Sequence, residues 1–241
     1  MNKINIIYRC CENEVLPPFK PHRPLSFNKI RCFKSLIDSI SINNILVDNF
    51  IVLYDGDTGI LHEYIIKHIS KIPHVTLDIH EAKYLNNEKS LLRTYELSNS
   101  LSNKNIYFVE DDYLHLPNAI RDINEGIFNF HLVTGYDHFH RYEINDDISK
   151  GKDYIEFMPL SFKHWRTCES TCCTWGCHES IYDKMIRYAN QYKLEDHAMF
   201  RNLNIKENIR LWNPIPGVTT QVDKNLSPGI NWELFNNTII L

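Results

Sequence analysis

The sequence predicts an α/β fold: one domain in which a mainly parallel, Rossmann-like sheet is flanked by helices and followed by an irregular second half. Three observations predict it. Apolar runs of strand length alternate with segments spaced like one face of a helix, two of those runs end in acidic turns, and the alternation loses its regularity about midway. Residues 3–8 alternate and then run apolar, as a buried strand does, and Arg9-Cys10-Cys11-Glu12-Asn13 follows as a loop. Beyond the proline-rich stretch from Pro17 to Pro24, apolar residues at Phe27, Ile30, Phe33, Ile37 and Ile40 mark one helix face. Residues 50–54 form a second apolar strand, closed by Asp55-Gly56-Asp57-Thr58-Gly59, and Leu61, Tyr64, Ile65 and His68 predict the next helix. A short strand over 75–79 and a helix over 90–100 lead to a fourth strand, 105–109, which ends in Glu110-Asp111-Asp112. In parallel sheets ligands bind beyond the carboxyl ends of the strands, so both acidic turns point to one rim.

The second half predicts a helix over 117–128, a strand over 131–134, a polar loop over 141–153, mixed signals over 158–175, a helix over 182–192 and a proline-bearing stretch over 211–223. No linker, repeat or low-complexity segment divides the chain, so residues 1–241 read as one domain with a first half, 1–116, and a second, 117–241, on a shared core.

With 43% apolar and 23% charged residues, disorder, collagen and coiled coil are excluded. A net charge of −4 speaks against a dedicated non-specific DNA binder, which is usually basic. Seven cysteines, an odd number, and no charged-then-apolar leader suggest a reduced, cytoplasmic setting. No apolar run approaches the ~20 residues needed to cross a bilayer.

Three adjacent carboxylates at the mouth of a buried strand repel one another unless a cation or hydrogen-bond donors compensate, and a divalent metal, Mg or Mn, is the simplest compensator. The plainer reading is a solvated acidic turn or a helix cap. Asp55 is placed to accept hydrogen bonds from a base or ribose, or else forms an ordinary Asp-Gly turn. Cys168, Cys172, Cys173 and Cys177 lack the paired knuckles of structural zinc sites and read better as buried thiols. Glu195-Asp196-His197 offers a general base, although such acidic pairs are common on surfaces. No glycine-rich phosphate loop and no Gly-x-Ser-x-Gly elbow occurs, which removes the commonest NTPase, dehydrogenase and hydrolase readings.

The order of strand, acidic turn, helix, strand and acidic triplet, with a late acidic pair, resembles the GT-A fold of nucleotide-sugar glycosyltransferases. Residues 50–58 look like the first nucleotide-binding turn of those enzymes, and residues 106–112 like their DXD-type motif in a Glu-Asp-Asp form. The resemblance extends to a group of bacterial and viral glycosyltransferase-like proteins through Tyr8-Arg9, Arg23-Pro24, residues 109–115, Tyr136-Asp137-His138, His164-Trp165-Arg166, Ser170-Thr171 and Ser227-Pro228. It implies a metal-assisted hexosyl or pentosyl transferase whose first half binds the nucleotide sugar and whose second half faces the acceptor. It further implies donor contacts at Tyr8, Arg9, Asp55, Asp57, Arg93, Glu110, Asp111 and Asp112, with Mn or Mg on Asp112 and Asp111, while Arg9 and Arg93 read equally well as structural ion-pair partners. Asp196, with Glu195 as runner-up, is the implied base of an inverting reaction, and Asp137, His138, His164, Trp165 and Arg166 the acceptor contacts. Trp165 offers either a ring for a sugar to rest on or core packing. Gln221 stands where related enzymes carry a metal-binding His. A glycan is the expected acceptor, with a modified nucleic-acid base as the other possibility. Two alternatives accompany this reading: a sugar nucleotidyltransferase, which would show a glycine-rich basic loop after the first strand, and an inactive binding protein that kept the fold.

Overall fold

A computed structural model describes residues 2–13, 20–83, 85–142, 155–193 and 195–233. The loop expected over 141–153 lies outside the described residues from position 143 onward. The first half follows the expected alternation: β1 (Ile4–Cys11), α1 (Lys29–Ile42), β2 (Val47–Asp55), α2 (Ile60–Ile69), β3 (Thr76–Ala82), α3 (Asn87–Asn99) and β4 (Ile106–Glu110). Side chains start two of the helices. Asn28 accepts from the Arg31 amide at 3.0 Å before α1, and Asn86 from the Lys89 amide at 2.8 Å before α3.

The second half holds β5 (Tyr113–His115), α4 (Ala119–Phe130), β6 (Leu132–Val133), β7 (Phe157–Pro159), β8 (His164–Cys168), β9 (Trp175–Cys177), α5 (Tyr182–Tyr192), α6 (Asp196–Glu207), β10 (Leu211–Ile215) and β11 (Thr219–Gln221). Sequence periodicity predicts neither β5 nor the strands β7 to β9, and it misses α6. The reason is physical: those strands have three to five residues, and α6 buries only Met199, Phe200 and Leu203.

Nine strands form one sheet in the order β3-β2-β1-β4-β9-β6-β10-β8-β7, and β11 pairs with β5 apart from it. Its first four strands are parallel, as expected, and beyond β4 the sheet is mixed: β9 runs antiparallel to both β4 and β6, and β8 antiparallel to β10. The sheet therefore crosses residue 116 without a break, and both halves contribute to it. Both faces are covered. Ile4, Ile6, Tyr8, Val52 and Tyr54 pack with α1, α2 and α4, while Ile7, Ile51, Leu53, Ile106 and Phe108 pack with α3, α5 and α6. That double burial explains why the early strands read as apolar runs. No helix among the described residues is long and apolar enough to cross a membrane.

Candidate active site

Strand register decides what meets at the rim. Cys11 on β1 lies beside Asp55 on β2, and Arg9 lies beside Glu110 on β4. Asp55 and the acidic triplet thus share the carboxyl edge of the sheet, but not on neighbouring strands as the sequence suggests: β1 lies between them, two strand spacings or ~10 Å. Because β9 is antiparallel and its first residue, Trp175, pairs with Phe108, the segment 172–174 enters the sheet at this same edge. By the same logic Asp137, after β6, and His164, opposite Ile215 at the end of β10, belong to this edge farther along.

Each carboxylate of the triplet has a cation of its own. Glu110 pairs with Arg9, whose guanidinium also donates to the Asn87 side chain at 2.7 Å. Asp111 takes the Lys29 ammonium at 2.9 Å and the Cys11 amide at 3.1 Å. Lys29 is buried at the start of α1 and also donates to the carbonyls of Cys11 at 2.8 Å and Asn13 at 2.6 Å. Burial is the largest single influence and opposes its charge, but Asp111 and Cys11 together outweigh it and raise the Lys29 pKa. Asp112, only 3% exposed, pairs through Oδ2 with Arg23, has Lys20 at 3.7 Å, and accepts from Gln221 at 3.2 Å. Burial lifts Glu110 to about 7 despite Arg9, and the neighbouring Asp112 charge adds to the shift.

Consecutive residues tie the triplet to the expected base. The Glu110 amide donates to the Thr174 hydroxyl at 3.1 Å, and the Cys173 amide donates to Asp196 Oδ2 at 3.0 Å. Asp196 is the first residue of α6, with Glu195 exposed before it. Desolvation raises the Asp196 pKa, opposed by its hydrogen bonds from Cys173 and by the charge of Arg9. Two carboxylate oxygens here, Asp112 Oδ1 and Asp196 Oδ1, are buried with no hydrogen-bond partner among the described residues. An oxygen of this kind takes its hydrogen bond from a ligand or from an ordered water.

Several expected contacts lie elsewhere. Tyr8 points into the core between Phe33 and Phe50, with ring centroids 5.3 and 5.9 Å away, so it cannot touch a donor. Trp165 is fully buried beneath α4, close against Gly126, where any Cβ would strike its ring; it is core packing and no platform for a sugar. Arg93 is exposed on α3 and held by Glu96 at 2.8 Å, away from any phosphate role the sequence gives it. Arg166 and Asp137 are both buried and bonded to each other at 2.8 Å, closed to an acceptor. His138 is half-buried and His164 exposed. Asp55 accepts from the Leu85 amide at 3.1 Å, and Asp57 is exposed with Lys83 at 3.7 Å. The α2 amino end is capped by neither: Glu12 accepts from the Leu61 amide at 3.1 Å. Cys168, Cys172, Cys173 and Cys177 are free thiols, but of the four only Cys177 is buried, and Cys172 is exposed.

Lys20, Arg23 and Lys29 are the site residues that sequence reasoning misses. Arg23 is 89 positions from its carboxylate, and no local pattern announces such a pairing. Their presence also bears on the metal. Among the described residues no group of three His, Cys, Asp or Glu side chains is arranged to hold one. The orphaned Asp112 oxygen alone favours a cation, but Oδ2 of the same carboxylate already carries Arg23, which is fixed by burial and by stacking 4.1 Å over Phe27. Charges of +2 and +1 about 4 Å apart repel by roughly 8 kcal/mol at an effective dielectric near 20. Asp112 alone, already paired, does not offset that repulsion, so a divalent ion at this position would depend on the other carboxylates and on the phosphates of a bound nucleotide.

No family model matches the chain, and no curated protein matches it in sequence. Solved structures do resemble it. A UDP-glucose pyrophosphorylase complexed with UDP-glucose aligns over 91% of this chain and 93% of its own at 11% identity and a TM-score of 0.51. The UTP-bound UGPase from Acinetobacter baumannii aligns over 99% of this chain and 93% of its own at 8% identity and a TM-score of 0.50. The glycosyltransferase GlyE of Streptococcus pneumoniae aligns over 87% of this chain and 45% of its own at 11% identity and a TM-score of 0.44. The fold is thus one shared with enzymes that use nucleotide sugars.

Proposed function

We propose that the chain is a glycosyltransferase that moves a sugar from a nucleotide-sugar donor to an acceptor hydroxyl, most simply on a glycan. The observation that carries the reading is the convergence of Asp55, the triplet and Asp196 on one sheet edge, with the 172–174 segment bonded to both the triplet and Asp196. The base and ribose would lie over the ends of β1 and β2 near Asp55, and the diphosphate over β4. In an inverting displacement the acceptor oxygen bonds to the anomeric carbon. The bond from that carbon to the diphosphate oxygen breaks, its electron pair leaves on the nucleoside diphosphate, and Asp196 takes the hydroxyl proton. A half-buried carboxylate with a raised pKa is a better base than an exposed one, and one of its oxygens has no hydrogen-bond partner among the described residues.

A second reading, a sugar nucleotidyltransferase, is favoured by the likeness to UDP-glucose pyrophosphorylase across most of the chain and by the basic turn Lys20–Arg23 after β1. Against it, Arg9–Asn13 contains no glycine to let a backbone close on phosphates. One assay separates the two. A panel of nucleotide sugars is incubated with the protein, first alone or with glycan acceptors and then with pyrophosphate. Release of nucleoside diphosphate supports transfer, release of nucleoside triphosphate only with pyrophosphate supports the second reading, and neither product supports a binding protein.

A further inference from the structure

We propose that the donor diphosphate is neutralised by Arg23 and Lys20, so that nucleotide binding at this rim requires no divalent metal. The inference rests on the nucleotide-sugar reading and specifies the charge chemistry of the same site. Arg23 and Lys20 belong to one turn, closed by the Arg23 amide donating to the Lys20 carbonyl at 3.1 Å, and both cations lie against the same Asp112 oxygen. They differ in a useful way. Arg23 is buried and stacked on Phe27, a preorganised fork, whereas Lys20 is half in solvent and free to reach outward. A guanidinium so held binds phosphate oxygens in a fixed orientation, and an ammonium supplies a movable point charge.

The other two triplet cations are spoken for. Arg9 is engaged by Glu110 and Asn87, and Lys29 by Asp111 and two carbonyls, so each serves to balance its own carboxylate. Asp112 is the exception: two cations and a glutamine amide surround one oxygen, while its other oxygen is buried and unpartnered. The local balance is one negative charge against two positive ones, an excess that suits an incoming phosphate. Asp112 then orients Arg23 through Oδ2 and offers Oδ1 to a hydroxyl of the donor, a task for which a carboxylate is suited and a metal is unnecessary.

The test is calorimetric titration of the full chain with the nucleoside diphosphates UDP, GDP, ADP, CDP and TDP, in EDTA and again in Mn. The expected result is that one of them binds in EDTA with an affinity that Mn changes less than threefold, and that Lys20→Ala weakens it about tenfold, as loss of one charge-assisted contact does. Arg23→Ala should weaken it further. Lys20 is largely exposed, so its variant keeps the test valid if Arg23→Ala fails to fold. Binding that needs Mn, or an unchanged affinity in a folded Lys20→Ala, overturns this inference and leaves the nucleotide-sugar reading standing. No binding of any diphosphate in either condition overturns both.

Discussion

Two sites built around a buried aspartate, Asp137 and Asp112, lie along the same sheet edge, and they differ in one respect. At Asp137, 0% exposed, every oxygen is satisfied: Oδ1 faces Arg166 at 2.8 Å and Arg141 at 3.6 Å, and Oδ2 accepts from Tyr142 at 2.5 Å. Ser227 closes the backbone of the same residue, accepting from its amide at 3.2 Å and donating to its carbonyl at 2.6 Å. Around the triplet each carboxylate has its cation and Asp112 has two, yet one oxygen of Asp112 and one of Asp196 are left without donors among the described residues. A closed cluster fixes the fold, whereas an open one keeps hydrogen-bonding capacity for a ligand or an ordered water. Sequence alone cannot separate them, since an aspartate beside arginines reads the same in both.

The comparison can be broken in four places. The largest expected effect is on chemistry. Asp196→Asn keeps an acceptor for the Cys173 amide but no base, so nucleoside diphosphate release with acceptor should fall by about 10²–10⁴-fold while thermal stability stays near wild type. An unchanged rate would remove the base from the open cluster. Next, Asp137→Ala leaves two guanidiniums without their counter-charge and should cost roughly 3–5 kcal/mol in urea denaturation. A loss below about 1 kcal/mol would show the closed cluster to be dispensable.

The third effect is on pH. Glu110 has its pKa raised by burial from 4.5 to about 7, so the protonated form suits the folded chain. The stability it contributes is full below about pH 4.5, its unfolded range, and is lost as pH rises through 7. Glu110→Gln cannot ionise, so its melting temperature relative to wild type should rise between pH 4.5 and 7, by an amount equivalent to roughly 3 kcal/mol. A constant difference over that window would place the charge of Glu110 fully under the control of Arg9. The smallest effect belongs to the exposed Asp57–Lys83 pair: Asp57→Ala should change stability by less than about 0.5 kcal/mol and leave the two clusters as they are.

Legibility follows the same division. Strands β1, β2 and β4 could be read because both their faces are buried, and the triplet because three carboxylates in a row are unusual. Gln221 was placed by resemblance, and the structure brings it to Asp112. What could not be read is distance in sequence and direction in space. Trp165 carries the same letter whether it faces a sugar or Gly126, and only the pairing of β8 with β10 turns it inward. Lys20, Arg23 and Lys29 sit among prolines and helix residues with nothing to announce the carboxylates they balance.

The bridge through Cys173 and Thr174 bears on how the site tolerates motion. The Cys173 amide holds Asp196 and the neighbouring Thr174 hydroxyl holds the strand end bearing the triplet, so two hydrogen bonds on consecutive residues set the gap between them. Breathing of the short, irregular strands beyond β9 would then leave that spacing intact, and drift among relatives could rebuild the outer half while keeping the reach between attack and departure.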